Sequence, residues 1–135
     1  MSTPVKRPDG TPAVPVAPAT PLEPVPVVAP LGLVLIVLAS VGIIIATWTL
    51  YPIDATGMWA GYRDGFMATI ALVCAMALPT TLPAKPFLGV IALCGALMVF
   101  LAVFLDDPTT IFVTELVGGG VLIAGALLYG AGSRR

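Results

Sequence analysis

Apolar residues along this chain gather into four long blocks, near Leu31–Leu50, Phe66–Leu82, Pro86–Leu105 and Ile111–Tyr129, separated by short stretches rich in proline and charge. Each block approaches or reaches the roughly 17 to 25 residues that a helix needs to cross a bilayer. The pattern predicts an all-α integral membrane protein with four transmembrane helices, over about 31–51, 57–79, 86–105 and 110–130. Pro30 suits the first turn of the first helix, having no N–H to lose there. Trp48 and Tyr51 mark its other end as rings at headgroup level, and Pro52 with Asp54 makes the break. The second helix is expected from about Gly57, with Arg63 and Asp64 early and an end near Pro79. Trp59 and Tyr62 fit a headgroup belt, so the part before Phe66 is expected to lie partly at the interface. Pro83, Lys85 and Pro86 lead into the third helix, which stops at Asp106-Asp107-Pro108. Thr109 or Thr110 is the expected N-cap of the fourth, which runs out near Tyr129–Gly132 ahead of the basic C-terminus, 133–135.

Residues 1–30 hold nine of the 14 prolines, with Pro12, Pro15, Pro18, Pro21 and Pro24 every third position. A polyproline II helix has the same period, so these rings are expected to line one edge of a stiff rod. Such a tail serves either as a semi-rigid spacer or as a ligand for an aromatic groove on a partner.

Composition supports the membrane reading, with 59% hydrophobic and only 10% charged residues against about 25% charged in ordinary soluble domains. The first apolar block follows a long proline-rich stretch instead of opening the chain, so it is expected to stay in the mature protein and not be cleaved as a signal peptide. With an even number of crossings, the N-terminus, the 79–86 turn and the C-terminus share one side. That side carries Lys6, Arg7, Lys85, Arg134 and Arg135, whereas the other has Arg63 against Asp54, Asp64, Asp106 and Asp107. The positive-inside bias puts both termini in the cytoplasm. The Ala/Val/Gly/Pro-rich, Lys-poor usage suggests the plasma (inner) membrane of a high-GC bacterium.

Laid over each other at an offset of 53 residues, the two halves match Gly42 with Gly95, Asp54 with Asp107, Trp59 with Phe112 and Gly65 with Gly118. Two tandem helical hairpins inserted in the same orientation would produce this. A span, an outer break with Pro and Asp, an aromatic, Gly65 six residues after Trp59, and an Ala/Leu-rich second span together resemble the SPW-repeat bacterial membrane proteins over roughly Gly32–Tyr129. Leu50-Tyr51-Pro52 and Leu105-Asp106-Asp107 stand where that family's Ser-Pro-Trp is expected. The resemblance therefore implies topology and no activity.

Several residues are candidates for function. Gly57, Gly61 and Gly65 recur at intervals of four, with Thr69 extending the strip. In a helix they form a smooth edge for close helix packing, or, in a loop, they simply permit turns. Gly118, Gly119 and Gly120 offer a second small patch, at about 1 kcal/mol of helix propensity each relative to alanine. Glu115 is an acid inside a predicted span, about 6 Å from its end at 1.5 Å per residue. Arg63 lies at a similar depth, and an Arg63–Glu115 ion pair with help from Asp64 or Asp54 is one expectation. Snorkelling of Glu115 to outer water is the other. Cys74 and Cys94 fall at similar depth and read as small apolar residues.

The chain has no histidine, which excludes His-ligated haem, His-containing zinc or copper sites and imidazole acid–base chemistry. No P-loop, nucleophile elbow, CxxC pair or carboxylate dyad is present, and a net charge of −1 without a basic patch argues against nucleic acid. No cofactor, metal or catalysis is expected. The partners expected are the lipid bilayer, other integral membrane proteins and, for some readings, further copies of the chain. These features point to a non-catalytic accessory or assembly subunit of a larger, possibly respiratory, membrane complex. The alternatives are a self-oligomerising pore, holin-like or small transport protein, and a membrane exclusion or immunity protein.

Overall fold

The computed structural model describes residues 27–133. Nearly all of the proline-rich stretch with its expected rod, and the two terminal arginines, lie outside the described residues. Within them the chain is all-helical: α1 (Val28–Thr49), α2 (Ala55–Ala77), α3 (Ala84–Phe104) and α4 (Thr109–Gly132). Helices α1, α3 and α4 are long and apolar enough to cross a membrane. Helix α2 has the length, with 23 residues, but its first half is diluted by three glycines, Arg63 and Asp64.

All four helices begin slightly before the predicted starts, for reasons that differ. Pro30 and Pro86 each occupy the third position of their helix. The N–H groups of a first turn have no intrahelical acceptor, so a ring is tolerated throughout that turn and not only at its first residue. In α2, Asp54 is the N-cap, its carboxylate accepting from the Gly57 N–H at 2.7 Å. In α4 the N-cap is Pro108, not Thr109 or Thr110, and no side chain caps it. Its carbonyl instead accepts from the N–H groups of Ile111 and Phe112 at 2.9 and 3.0 Å.

The helices form an up-down bundle in which each packs on its sequence neighbours and α1 closes the ring against α4. The broadest contacts are those of α4 with α1 and α3, while α2 and α4 meet only sparsely across a diagonal. Glycine explains the tightness of the α4 contacts. A Cβ on Gly119 would lie 2.6 Å from the Gly95 carbonyl oxygen of α3, so the two backbones touch. Gly32 and Gly125 abut in the same way where α1 crosses α4, and Gly132 sits on Ala29. Small residues at helix crossings are the usual means of gaining dispersion contacts in lipid, where hydrophobic drive is absent.

The bundle axis is filled by Ile36, Ile91, Met98 and Leu122, all fully buried. Helix α2 contributes Ala60, Ala68, Ala71 and Ala75, a face of small residues at spacings of three, four and eight. Ser40, also buried, returns its hydroxyl proton to the Ile36 carbonyl at 2.8 Å. On the outside, Leu38, Val73, Phe100, Val103 and Leu127 are exposed. A helix apolar all round is one that spans a membrane or lies within a larger protein.

Polar contacts between α2 and α4 are confined to the ends of that diagonal. At the end bearing the α2–α3 turn and the described termini, Tyr129 Oη donates to the Leu78 carbonyl at 2.9 Å. At the far end, Arg63 of α2 reaches Glu115 of α4.

Candidate functional site

The far end of the bundle holds a buried charge cluster. The Asp54 cap opens α2, and Arg63 and Asp64 follow between two and three turns later, with Asp64 on the inward face between Ala60 and Ala68. Arg63 sits one position round the helix. Its Nε donates back to Asp64 Oδ1 at 3.1 Å, while Nη2 reaches across the diagonal to Glu115 Oε1 and to Asp107 Oδ2, the latter at 3.2 Å. One guanidinium therefore ties α2 to α4 and to the α3–α4 turn. Asp64 and Glu115 have no exposed surface, and the side chains of Arg63 and Asp107 are 11% and 12% exposed.

Tyr51, in the α1–α2 turn and 8% exposed, completes the cluster by donating its Oη proton to Asp64 Oδ2 at 2.6 Å. Burial, together with the Asp64 carboxylate beside it, pushes this phenol above its ordinary range, so it remains a donor. Its removal leaves a buried carboxylate oxygen without one partner. Tyr51→Phe is accordingly expected to lower stability by about 1 to 3 kcal/mol, measured by denaturant unfolding of the purified protein, with little change in helix content.

The expected pairing partners are thus redistributed. Arg63, Glu115 and Asp64 come together, and Glu115 is buried instead of snorkelling to water. Asp54 is elsewhere, occupied as a helix cap, and Asp107 takes the place assigned to it. Asp107 stood in the sequence as one of two acids in a helix stop, and nothing in the linear pattern separated it from Asp106, which is exposed.

The glycine ladder has a divided fate. Gly57 packs against the backbone of Pro52, so it serves the tight α1–α2 turn, where any Cβ would collide. Gly61 and Gly65 are packed only loosely against α1: a Cβ at either would meet its nearest neighbours, from Thr47 and Tyr51, at 3.8 Å or beyond, an ordinary contact. They floor an open apolar groove of about 650 Å³ between α1 and α2, lined also by Ile44, Trp48, Tyr51, Phe66 and Thr69. The hydroxyls of Thr47 and Thr69 donate to carbonyls of their own helices at 2.7 Å each. The two threonine hydroxyls are therefore satisfied, while the exposed Trp48 and Tyr62 keep an indole N–H and a phenol available at the groove. Tyr51 links the two features, its ring against the groove and its hydroxyl in the cluster.

In α4, Gly118 packs under Ile43 of α1 and Gly119 against Gly95, whereas Gly120 faces open space. Gly32, Gly95, Gly125 and Gly132 make close crossings that the sequence did not single out. Their spacing is irregular, and only regular spacing draws attention in an apolar chain. Paired positions of the two halves are not equivalent either: Gly42 is open where Gly95 is packed, and Gly65 is open where Gly118 is packed. Cys74 and Cys94 are free thiols. Comparison with known protein families, curated proteins and solved structures finds no match.

Proposed function

We propose that this chain is a non-catalytic assembly subunit that receives a transmembrane helix of another integral membrane protein in its α1–α2 groove. The single observation carrying this reading is that Gly61 and Gly65 line an open apolar groove and are only loosely packed by Thr47 and Tyr51, which an added Cβ would meet at 3.8 Å or beyond. Elsewhere in the bundle, close-packed glycines meet another helix. Glycine in a helix costs about 1 kcal/mol relative to alanine, a cost that close approach of a second backbone offsets. Satisfied threonine hydroxyls favour an apolar helix over a polar ligand.

In this reading α2 also crosses the bilayer, flanked by α1 and α3, and the charge cluster lies at the outer surface with both termini cytoplasmic. The Lys-poor, Ala/Val/Gly/Pro-rich composition supports a bacterial plasma membrane. A self-assembling pore is the competing reading. Ile36, Ile91 and Met98 fill the monomer axis, so such a pore would have to run between copies.

A photo-crosslinking residue at Gly65, compared with one at lipid-facing Gly120, tests the reading in the native membrane. A discrete adduct with another membrane protein at Gly65 and none at Gly120 is the expected result. An adduct of twice the chain's own mass would favour self-assembly, and labelling only of lipid at both positions would rule the docking role out.

A further inference from the structure

The far-end cluster contains more acid than base. Arg63 faces Asp64, Asp107 and Glu115, so full ionisation would leave a charge of −2 where two of the carboxyl groups are wholly buried. Among the described residues no other element brings a second cation. Helix α1 has no titratable side chain, the α1–α2 turn brings the neutral Tyr51, and the Lys85 of α3 belongs to the opposite end of the bundle. Glu115 Oε1 accepts from Arg63, but Oε2 is buried with no partner. Asp64 and Glu115 are held on the same guanidinium, Asp64 Oδ1 on Arg63 Nε and Glu115 Oε1 on Nη2, which brings the two buried carboxyl groups together.

We propose that Glu115 carries a proton on Oε2 and donates it to Asp64, which makes the cluster a proton-binding site open to one side of the membrane through Asp107. Every polar atom then has a role. Oε1 continues to accept from Arg63 Nη2, Oε2–H gains an acceptor, and Asp64 accepts from Tyr51, Arg63 and Glu115. The remaining charge of −1 is shared with Asp107, which touches solvent. Adjacent buried carboxyl groups commonly share a proton in this manner because both cannot ionise together. Arg63 occupies the space among the acids, and the described residues contain no group arranged to hold a metal ion, so a proton fits where a metal does not. The site holds its proton without passing it on, since the axis beyond is filled by Met98 and Leu122 and the Ser40 hydroxyl is tied to its own helix.

Infrared spectroscopy of the full chain in lipid tests this directly, because a protonated carboxyl absorbs apart from a carboxylate. At neutral pH the wild type is expected to show a buried protonated-carboxyl band that disappears in Glu115→Gln and shifts in Asp64→Asn. Glu115→Gln is expected to melt at the wild-type temperature or above, since the amide keeps the acceptor and replaces the O–H with N–H donors. Raising the pH is expected to remove the band and lower the melting temperature of the wild type alone. Absence of the band in the wild type, its survival in Glu115→Gln, or failure of that variant to fold would each overturn the proposal. So would a melting temperature that depends on sodium but not on pH.

Discussion

Replacing Arg63 with methionine is expected to destabilise the bundle by about 3 to 5 kcal/mol, measured by unfolding in mixed micelles. Methionine keeps much of the length of the side chain, so packing changes little. The loss is electrostatic: Asp64, Asp107 and Glu115 remain together with no cation among them. Removing one partner of a buried ion pair is costly because the other charges keep their desolvation and lose their compensation. Arg63→Lys is expected to fall between, since an ammonium cannot reproduce the fork in which Nε engages Asp64 while Nη2 engages α4 and the α3–α4 turn. The informative comparison is the double variant Arg63→Met with Glu115→Gln. These residues share one network, so their effects should not add. The double variant should be more stable than Arg63→Met alone, because it removes an acid from a site left without a base. If instead the double variant differs from Arg63→Met only by the change that Glu115→Gln makes in the wild type, Glu115 contributes independently of Arg63 and the diagonal contact has no energetic coupling. A simple exchange of charge between positions 63 and 115 decides less than it would for an isolated pair, because Asp64 and Asp107 stay in place and would face a new acid at position 63.

Much of the architecture could be read from block lengths alone. Apolar runs of about 20 residues divided by proline and charge admit few interpretations, and the four helices fall within a few residues of the predicted bounds. The meeting of Arg63 with Glu115 was also readable, because charge is so rare in these blocks that two opposite charges at similar depth stand out. What was not readable depends on rotational phase. Gly61 and Gly65 are one helix position away from Ala60 and Asp64, and that single step decides whether a residue faces the bundle or a groove. A uniformly apolar helix carries almost no amphipathic signal from which to assign a phase. Alanine, the residue that packs the inward face of α2, is too common in this chain to mark anything. Asp107 was missed for a different reason: it lies in a turn, and which of two adjacent turn acids points inward depends on tertiary geometry.

The second large effect is expected at the α3–α4 crossing, and its pattern tests whether backbone contact or helix propensity governs the glycine patch. Gly118, Gly119 and Gly120 are consecutive in one helix and have the same intrinsic propensity, so alanine at each should be equally favourable if propensity were all that mattered. Their surroundings differ. A Cβ at Gly119 would meet the Gly95 carbonyl oxygen at 2.6 Å, whereas at Gly118 it would meet Ile43 Cγ1 at 2.7 Å and at Gly120 nothing. A carbonyl oxygen within a helix cannot move without the helix moving, while an isoleucine side chain can yield by a small rotation or shift. Gly119→Ala is therefore expected to cost about 2 to 3 kcal/mol, in the range of core overpacking, with Gly118→Ala costing less and Gly120→Ala neutral or stabilising. Gly95→Ala approaches the same contact from the other side, 2.7 Å from the Gly119 oxygen. Once either substitution has forced the helices apart, the second should add little, so the double variant is expected to be less destabilised than the sum of the singles. Equal gains at all three positions of the patch would mean that propensity governs and that α3 and α4 are not in backbone contact in the membrane.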